Sequence, residues 1–164
     1  MSVPRPTLHL LCGKVAAGKS TLATKLAETD NTILIAEDEW LATLFAEELQ
    51  QPKDFLRCST KLRVAMAPHI VALLRAGTSV VLDFQANTVE SRVWMRGLLD
   101  KTEADHQLHV LAPPDDVCLA RLRQRNASGA HPFTVSDEQF RQISAYFQPP
   151  KPDEGFHLVH HDKT

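Results

Sequence analysis

The 164-residue sequence is poor in several things at once, and each shortage removes a class of protein. Its three cysteines (Cys12, Cys58, Cys118) are odd in number and have no C-x-x-C spacing. That excludes a disulfide scaffold or zinc finger and fits a reducing compartment. Charge is almost balanced, 18 Lys+Arg against 20 Asp+Glu for a net of −2. No basic excess therefore argues for a nucleic-acid groove or an anionic membrane surface. Apolar runs are short: stretches such as Val110–Pro114 and Thr78–Leu82 fall far below the ~20 residues of a membrane span. Met1–Pro6 leads almost directly into a strand-like run without the apolar segment of a signal peptide. Aromatics make up only 6% of a chain that is 43% hydrophobic, so Leu, Val, Ile and Ala must build the core. The expectation is one soluble, cytoplasmic domain over 1–164 that buries roughly 68–70% of its unfolded surface.

What the sequence does have is an alternation of periods. Leu8–Cys12, Thr32–Ala36, Ser79–Leu82, Gln107–Ala112 and Phe156–His160 are short apolar or β-branched runs and predict strands. Between them lie helical patterns: Ser20–Glu28, Glu39–Gln50, Ser59–Arg75 (with Pro68 starting a new helix or kinking this one), and Asp115–Arg125. Ser136-Asp-Glu-Gln139 reads as a capping box opening a further helix. Strands alternating with helices predict a three-layer α/β/α fold around a parallel five-stranded sheet. Ligands on such a sheet sit at the carboxyl ends of its strands, which directs attention to Gly13, Asp38, Asp83 and Pro113. The segment 121–136, with Gly129 and Pro132, predicts a short helical lid.

Gly13-Lys-Val-Ala-Ala-Gly18-Lys19-Ser20 matches G-x-x-x-x-G-K-[ST] in full, after a strand-like run and before an amphipathic helix. The glycines let the backbone curl so that successive N–H groups and the helix N-terminus point at one anion. ATP would lie across Gly13, Val15, Ala16, Ala17, Gly18, Lys19, Ser20 and Thr21. Lys19 would reach the β- and γ-phosphates and the Ser20 hydroxyl would ligate Mg²⁺. Lys14 and Lys25 are left as surface charges. A GTPase would show N-K-x-D and D-x-x-G, and neither occurs. A mechanical ATPase typically places Glu after its second acidic strand, where Asp83 is followed by Phe84. The class left is a small kinase, which must keep water from its transferring phosphate.

Together with the P-loop, Ile35-Ala-Glu-Asp38-Glu39-Trp40, the run Val80–Thr88 and Arg121-Leu-Arg-Gln-Arg125-Asn126 resemble a group of small P-loop kinases. The group holds zeta toxin, chloramphenicol phosphotransferase and the polynucleotide-kinase kinase domain, all with AAA-type ATP-binding domains. The lid, through Pro132, Phe133 and the helix from Ser136, is similar to that of gluconate kinase. Leu41 stands where the polynucleotide-kinase group often has Arg. The resemblance implies that Asp38 orients and deprotonates an acceptor hydroxyl, with Glu39 the alternative carboxylate. A purely structural Asp38 would instead cap the helix that follows. Glu37 and Glu39 are expected to face solvent.

Asp83, ending a strand beside the presumed Mg²⁺, reads as a carboxylate holding that ion, or else as a turn residue. The resemblance also implies that Asn87 and Arg92 contact the acceptor, although a helical Arg92 would ordinarily be a solvated charge. Trp40, with Phe45, Phe55 and Phe84, would line the acceptor pocket unless these aromatics are simply core. Arg121 and Arg125, one turn apart, would come down with the lid onto the transferring phosphate; otherwise they complement their helix dipole. The eight histidines show no paired metal spacing, and His160-His161 reads as a frayed strand end. The primary expectation is an ATP- and Mg²⁺-dependent phosphotransferase acting on a small-molecule hydroxyl, with nucleic acid disfavoured as a partner. The alternative is an ATP-binding switch or weak ATPase that acts through a protein partner.

Overall fold

Five apolar runs too short to stand alone must pair, and the helices between them allow them to pair only in parallel. The computed structural model describes residues 5–129, 131 and 133–161. The strands are β1 (Thr7–Cys12), β2 (Thr32–Ala36), β3 (Ser79–Gln85), β4 (Asp105–Leu111) and β5 (Leu158–His161). The helices are α1 (Lys19–Leu26), α2 (Glu37–Phe45), α3 (Pro52–Arg75), α4 (Val89–Leu99), α5 (Asp115–Ser128) and α6 (Asp137–Ser144). All strand pairs are parallel, in the order β2-β3-β1-β4-β5. This is the three-layer α/β fold of P-loop proteins, with β1 central.

One face of the sheet carries the main core: Leu8, Leu10, Val80, Leu82, Leu108 and Val110 meet Leu62, Met66, Ile70 and Leu74 of α3 and Met95 and Leu98 of α4. The opposite face is shared by two smaller clusters. Leu11 and Val81 pack on Ala23 of α1, while Leu111 packs with Cys118 and Leu122 of α5 and Phe140 of α6. Between Leu10 and Leu11 the β1–β3 register shifts, from Leu10↔Leu82 to Leu11↔Gln85. That irregularity takes Asp83 out of the β1 ladder and leaves it paired with Ala36 of β2, beside the start of α2. Among the described residues no helix is long and apolar enough to cross a membrane.

Two expectations about α3 change. It starts at Pro52 rather than Ser59, because Gln51 and Asp54 form a capping box and Pro52 fits the first helical turn. It also runs through Pro68 as one helix. The carbonyl that Pro68 leaves unbonded is that of Val64, a residue 70% exposed, where water can serve it. Apolar burial at Met66 and Ile70 on either side holds the helix together. At the other end of the chain, β5 extends to His161. The His161 ring is tied to the sheet: His9 Nδ1 lies 3.1 Å from His109 Nε2, and His109 Nδ1 lies 2.9 Å from His161 Nε2. His160-His161 is thus ordered strand, not a frayed end.

Candidate active site

The loop after β1 bends back sharply, and its sequence tolerates the bend at only a few positions. A Cβ on Gly13 would stand 2.8 Å from the carbonyl oxygen of Leu111 and 3.1 Å from Ala17 Cβ. Gly18, which precedes α1, has φ 105°, and Ala16 holds φ 62° in the left-handed region. Within this curl the Lys19 ammonium donates to the carbonyl of Gly13 and, at 2.9 Å, to that of Lys14. Burial pushes Lys19 below the usual lysine range, and the carboxylates of Asp83 and Asp38 pull it back up. Ser20 Oγ donates to Asp83 Oδ2 at 2.9 Å, joining the start of α1 to β3. Burial raises Asp83, against the Ser20 hydrogen bond and the charge of Lys19, which lower it.

Asn87 has a part in this loop that the sequence reading did not give it. Its Nδ2 donates to the Gly13 carbonyl at 2.8 Å, and its Oδ1 accepts from the Gly13 N–H at 2.9 Å. Each end of the amide thus makes one bond to the P-loop, a role in holding Gly13 beside the acceptor contact expected of it. Arg92, by contrast, is corrected from its expected acceptor contact. It is fully buried; Nε donates to Glu154 at 2.8 Å, Nη1 to the Ala86 carbonyl at 2.8 Å and Nη2 to the Pro149 carbonyl at 3.4 Å. Desolvation alone would raise Glu154, but its bonds from Arg92 and the Lys151 N–H hold it low. Lys14, expected as a free surface charge, pairs with Asp115 at 2.9 Å and bridges the P-loop to α5.

Across the site, Asp38 lies in the first turn of α2, whose cap is Ala36 and not Asp38. Its side chain remains 40% exposed. The neighbouring Glu37 does not face solvent as expected. It is 2% exposed, accepts from Ser59 Oγ at 2.7 Å and from Arg63 Nε at 3.2 Å, and is raised by burial against the charge of Arg63. Glu39 is exposed, as expected. Of the four aromatics, Phe84 is fully buried and stacked on Trp94, whereas Trp40 is 42% exposed. Phe55 meets Phe133 edge-on at 6.0 Å.

From the α5 side, Arg121 Nη1 donates to the Ala17 carbonyl at 3.3 Å, over the P-loop. Arg125 carries a buried Nε with no hydrogen-bond partner among the described residues; burial lowers its affinity for its proton, and Asp38 opposes this. Arg123 points away to Asp137, as a surface residue should. The loop between α5 and α6 contributes a residue passed over in the sequence, His131, whose Nε2 lies 3.0 Å from Asp38 Oδ2. Pro132, assigned to the same lid, lies outside the described residues.

Comparison with known proteins agrees with this geometry. The family described as an AAA domain matches residues 8–150. The chain belongs to that family. Among solved structures it is similar to a candidate kinase from Chloroflexus aurantiacus j-10-fl, at 21% identity and a TM-score of 0.75, over 98% of this chain and 86% of that one. It is also similar to the APS kinase of Mycobacterium tuberculosis, solved with AMPPNP and APS, at 20% identity and a TM-score of 0.64, over 98% and 91%. A sugar kinase from Janibacter sp. HTCC2649 gives 19% identity and a TM-score of 0.64, over 96% and 86%. No curated protein matches. This AAA-domain protein therefore shares the fold of P-loop kinases.

Proposed function

We propose that the protein is a phosphotransferase that moves the γ-phosphate of ATP to the hydroxyl of a small molecule. The observation that carries this reading is the placement of Asp38. Its side chain stays 40% exposed in the first turn of α2, two residues after Ala36, the register partner of the Asp83 to which Ser20 donates. A carboxylate so placed can take a proton from an acceptor beside the transferring group. The curl Gly13–Thr21 would bind the phosphates: Gly13 leaves no room for a Cβ against the Leu111 carbonyl and Gly18 takes a left-handed φ, so the loop turns tightly enough for its later N–H groups and the start of α1 to converge on one anion. The bonded pair Ser20–Asp83 is a hard-oxygen donor set that fits Mg²⁺, and the ion when bound would neutralise phosphate charge.

Lys19 and Arg121 would stabilise the triphosphate. Arg125, whose Nε has no partner among the described residues, would meet charge developing on the transferred group. Trp40 would form part of the acceptor wall. The α5–α6 segment would act as the lid that keeps water out. A thermal-shift screen with a non-hydrolysable ATP analogue tests the reading. The expected result is extra stabilisation by one class among polyols, nucleosides and antibiotics, present only with the nucleotide. Stabilisation by nucleotide alone across the screen would contradict an acceptor site and favour a nucleotide-dependent switch.

A further inference from the structure

The loop that connects α5 to α6 is shaped before it reaches the site. Asn126 Nδ2 donates to the Val135 carbonyl at 2.6 Å and its Oδ1 accepts from the Val135 N–H at 3.4 Å, closing the loop at its base. Ser136 and Gln139 cap the helix that follows. Phe133 then packs edge-on against Phe55 of α3, and His131 reaches Asp38 of α2. The tip of the loop is thus fastened to the far wall of the site by one apolar and one polar contact.

The polar contact has a defined chemistry. An ionised carboxylate can only accept, so the nitrogen facing Asp38, Nε2, must carry hydrogen. Nδ1 lies 3.1 Å from both the N–H and the carbonyl of Phe133. A neutral ring accepts there from the N–H; a protonated ring can donate there to the carbonyl. The grip on Asp38 therefore holds in either state. The imidazole also engages the group that an attacking hydroxyl or water must use to shed its proton, so the two compete for one carboxylate.

We propose that His131 is a positioning residue, a latch that occupies Asp38 until an acceptor hydroxyl replaces it, and so restrains wasteful hydrolysis. This rests on the phosphotransferase reading. In the restrained side reaction, water adds to the γ-phosphorus, the bond from that phosphorus to the β,γ-bridging oxygen breaks, ADP leaves and the water proton passes to Asp38. An imidazole that donates to Asp38 Oδ2 takes up the oxygen to which the water would pass its proton.

Two measurements on the full chain test the latch. The first needs no nucleotide: hydrogen exchange of the α5–α6 loop in wild type and Asp38→Ala. Loss of the acceptor should speed exchange in that loop by about fivefold or more, since a latched segment opens less often. Unchanged exchange would overturn the latch. The second follows ADP release from Mg-ATP with no other acceptor present. His131→Ala should hydrolyse about tenfold faster than wild type, a fraction of the ~10²–10⁴ a positioned base contributes. His131→Gln, which keeps an N–H donor, should fall between the two, and adding Asp38→Asn to His131→Ala should remove the gain. If His131→Ala does not fold, His131→Leu takes its place. Hydrolysis at or below the wild-type rate, with nucleotide affinity intact, would overturn the restraint. If wild type binds no nucleotide, the phosphotransferase reading fails, while the exchange arm still decides whether the latch exists.

Discussion

The two halves of the site are built differently. On the P-loop side the side chains are already tied in: Asn87 holds Gly13 at both backbone atoms, Lys19 donates to two carbonyls, and Ser20 donates to Asp83. On the acceptor side the groups are loosely held. Asp38 is 40% exposed with a single imidazole on it, and Arg125 Nε is buried without a partner among the described residues. A preorganised cradle suits a ligand whose shape never varies, and this one is tied by its own carbonyls, by Asn87 and by Asp83 of β3. An under-satisfied acceptor side suits groups that must change partners as substrate enters and charge develops.

The largest effect is expected at Lys19, whose ammonium donates to the carbonyls of Gly13 and Lys14 inside the curl. Lys19→Ala should abolish nucleotide turnover, and retained turnover would break the contrast between the halves. Asp38→Asn, on the loose side, should cut transfer to an identified acceptor by ~10²–10⁴ while leaving nucleotide affinity nearly intact. Wild-type transfer by Asp38→Asn would remove Asp38 from the chemistry and turn attention to Glu39.

Arg92 belongs to neither half. Replacing it by Met leaves Glu154 and two carbonyls without their donor, so urea unfolding should show a loss of about 3–5 kcal/mol. A small stability change together with a raised KM for the acceptor would instead return Arg92 to substrate binding.

The smallest effect concerns the far side of the sheet. Burial, reinforced by the charges of His9 and His161, lowers His109 to about 4. An unfolded chain takes up that proton near the ordinary 6.5, so the stability due to the neutral ring is complete above that pH. It is lost progressively as pH falls toward 4, by at most about 3 kcal/mol. His109→Gln should flatten the fall in melting temperature over that interval; an unchanged slope would assign it to other groups.

Much of this molecule could be read from residue order because the signals are local. Strands β1 and β2 follow their apolar runs within a residue, the P-loop declares itself by glycine spacing, and the Ser136 capping box forms as written. The early start of α3 was also legible, in Pro52 and Asp54, but its first turns are largely polar and hid the period. What was not legible depends on distant partners. Glu37 looks like a solvated helix-start acid until Ser59 and Arg63 are folded against it. Arg92 looks like a surface charge until Glu154, 62 residues on, arrives beside it. Asn87 and Gly13 are 74 residues apart, and no periodicity links them. His131 could be recognised only after the loop had carried it to Asp38.

Whether the curl after β1 grips a triphosphate is decided by titration calorimetry of the wild-type chain with ATP and Mg²⁺. The expected result is saturable uptake of one nucleotide per chain, competed by a non-hydrolysable analogue and weakened when Mg²⁺ is withdrawn. Heats no larger than dilution, from a chain shown to be folded, would contradict it.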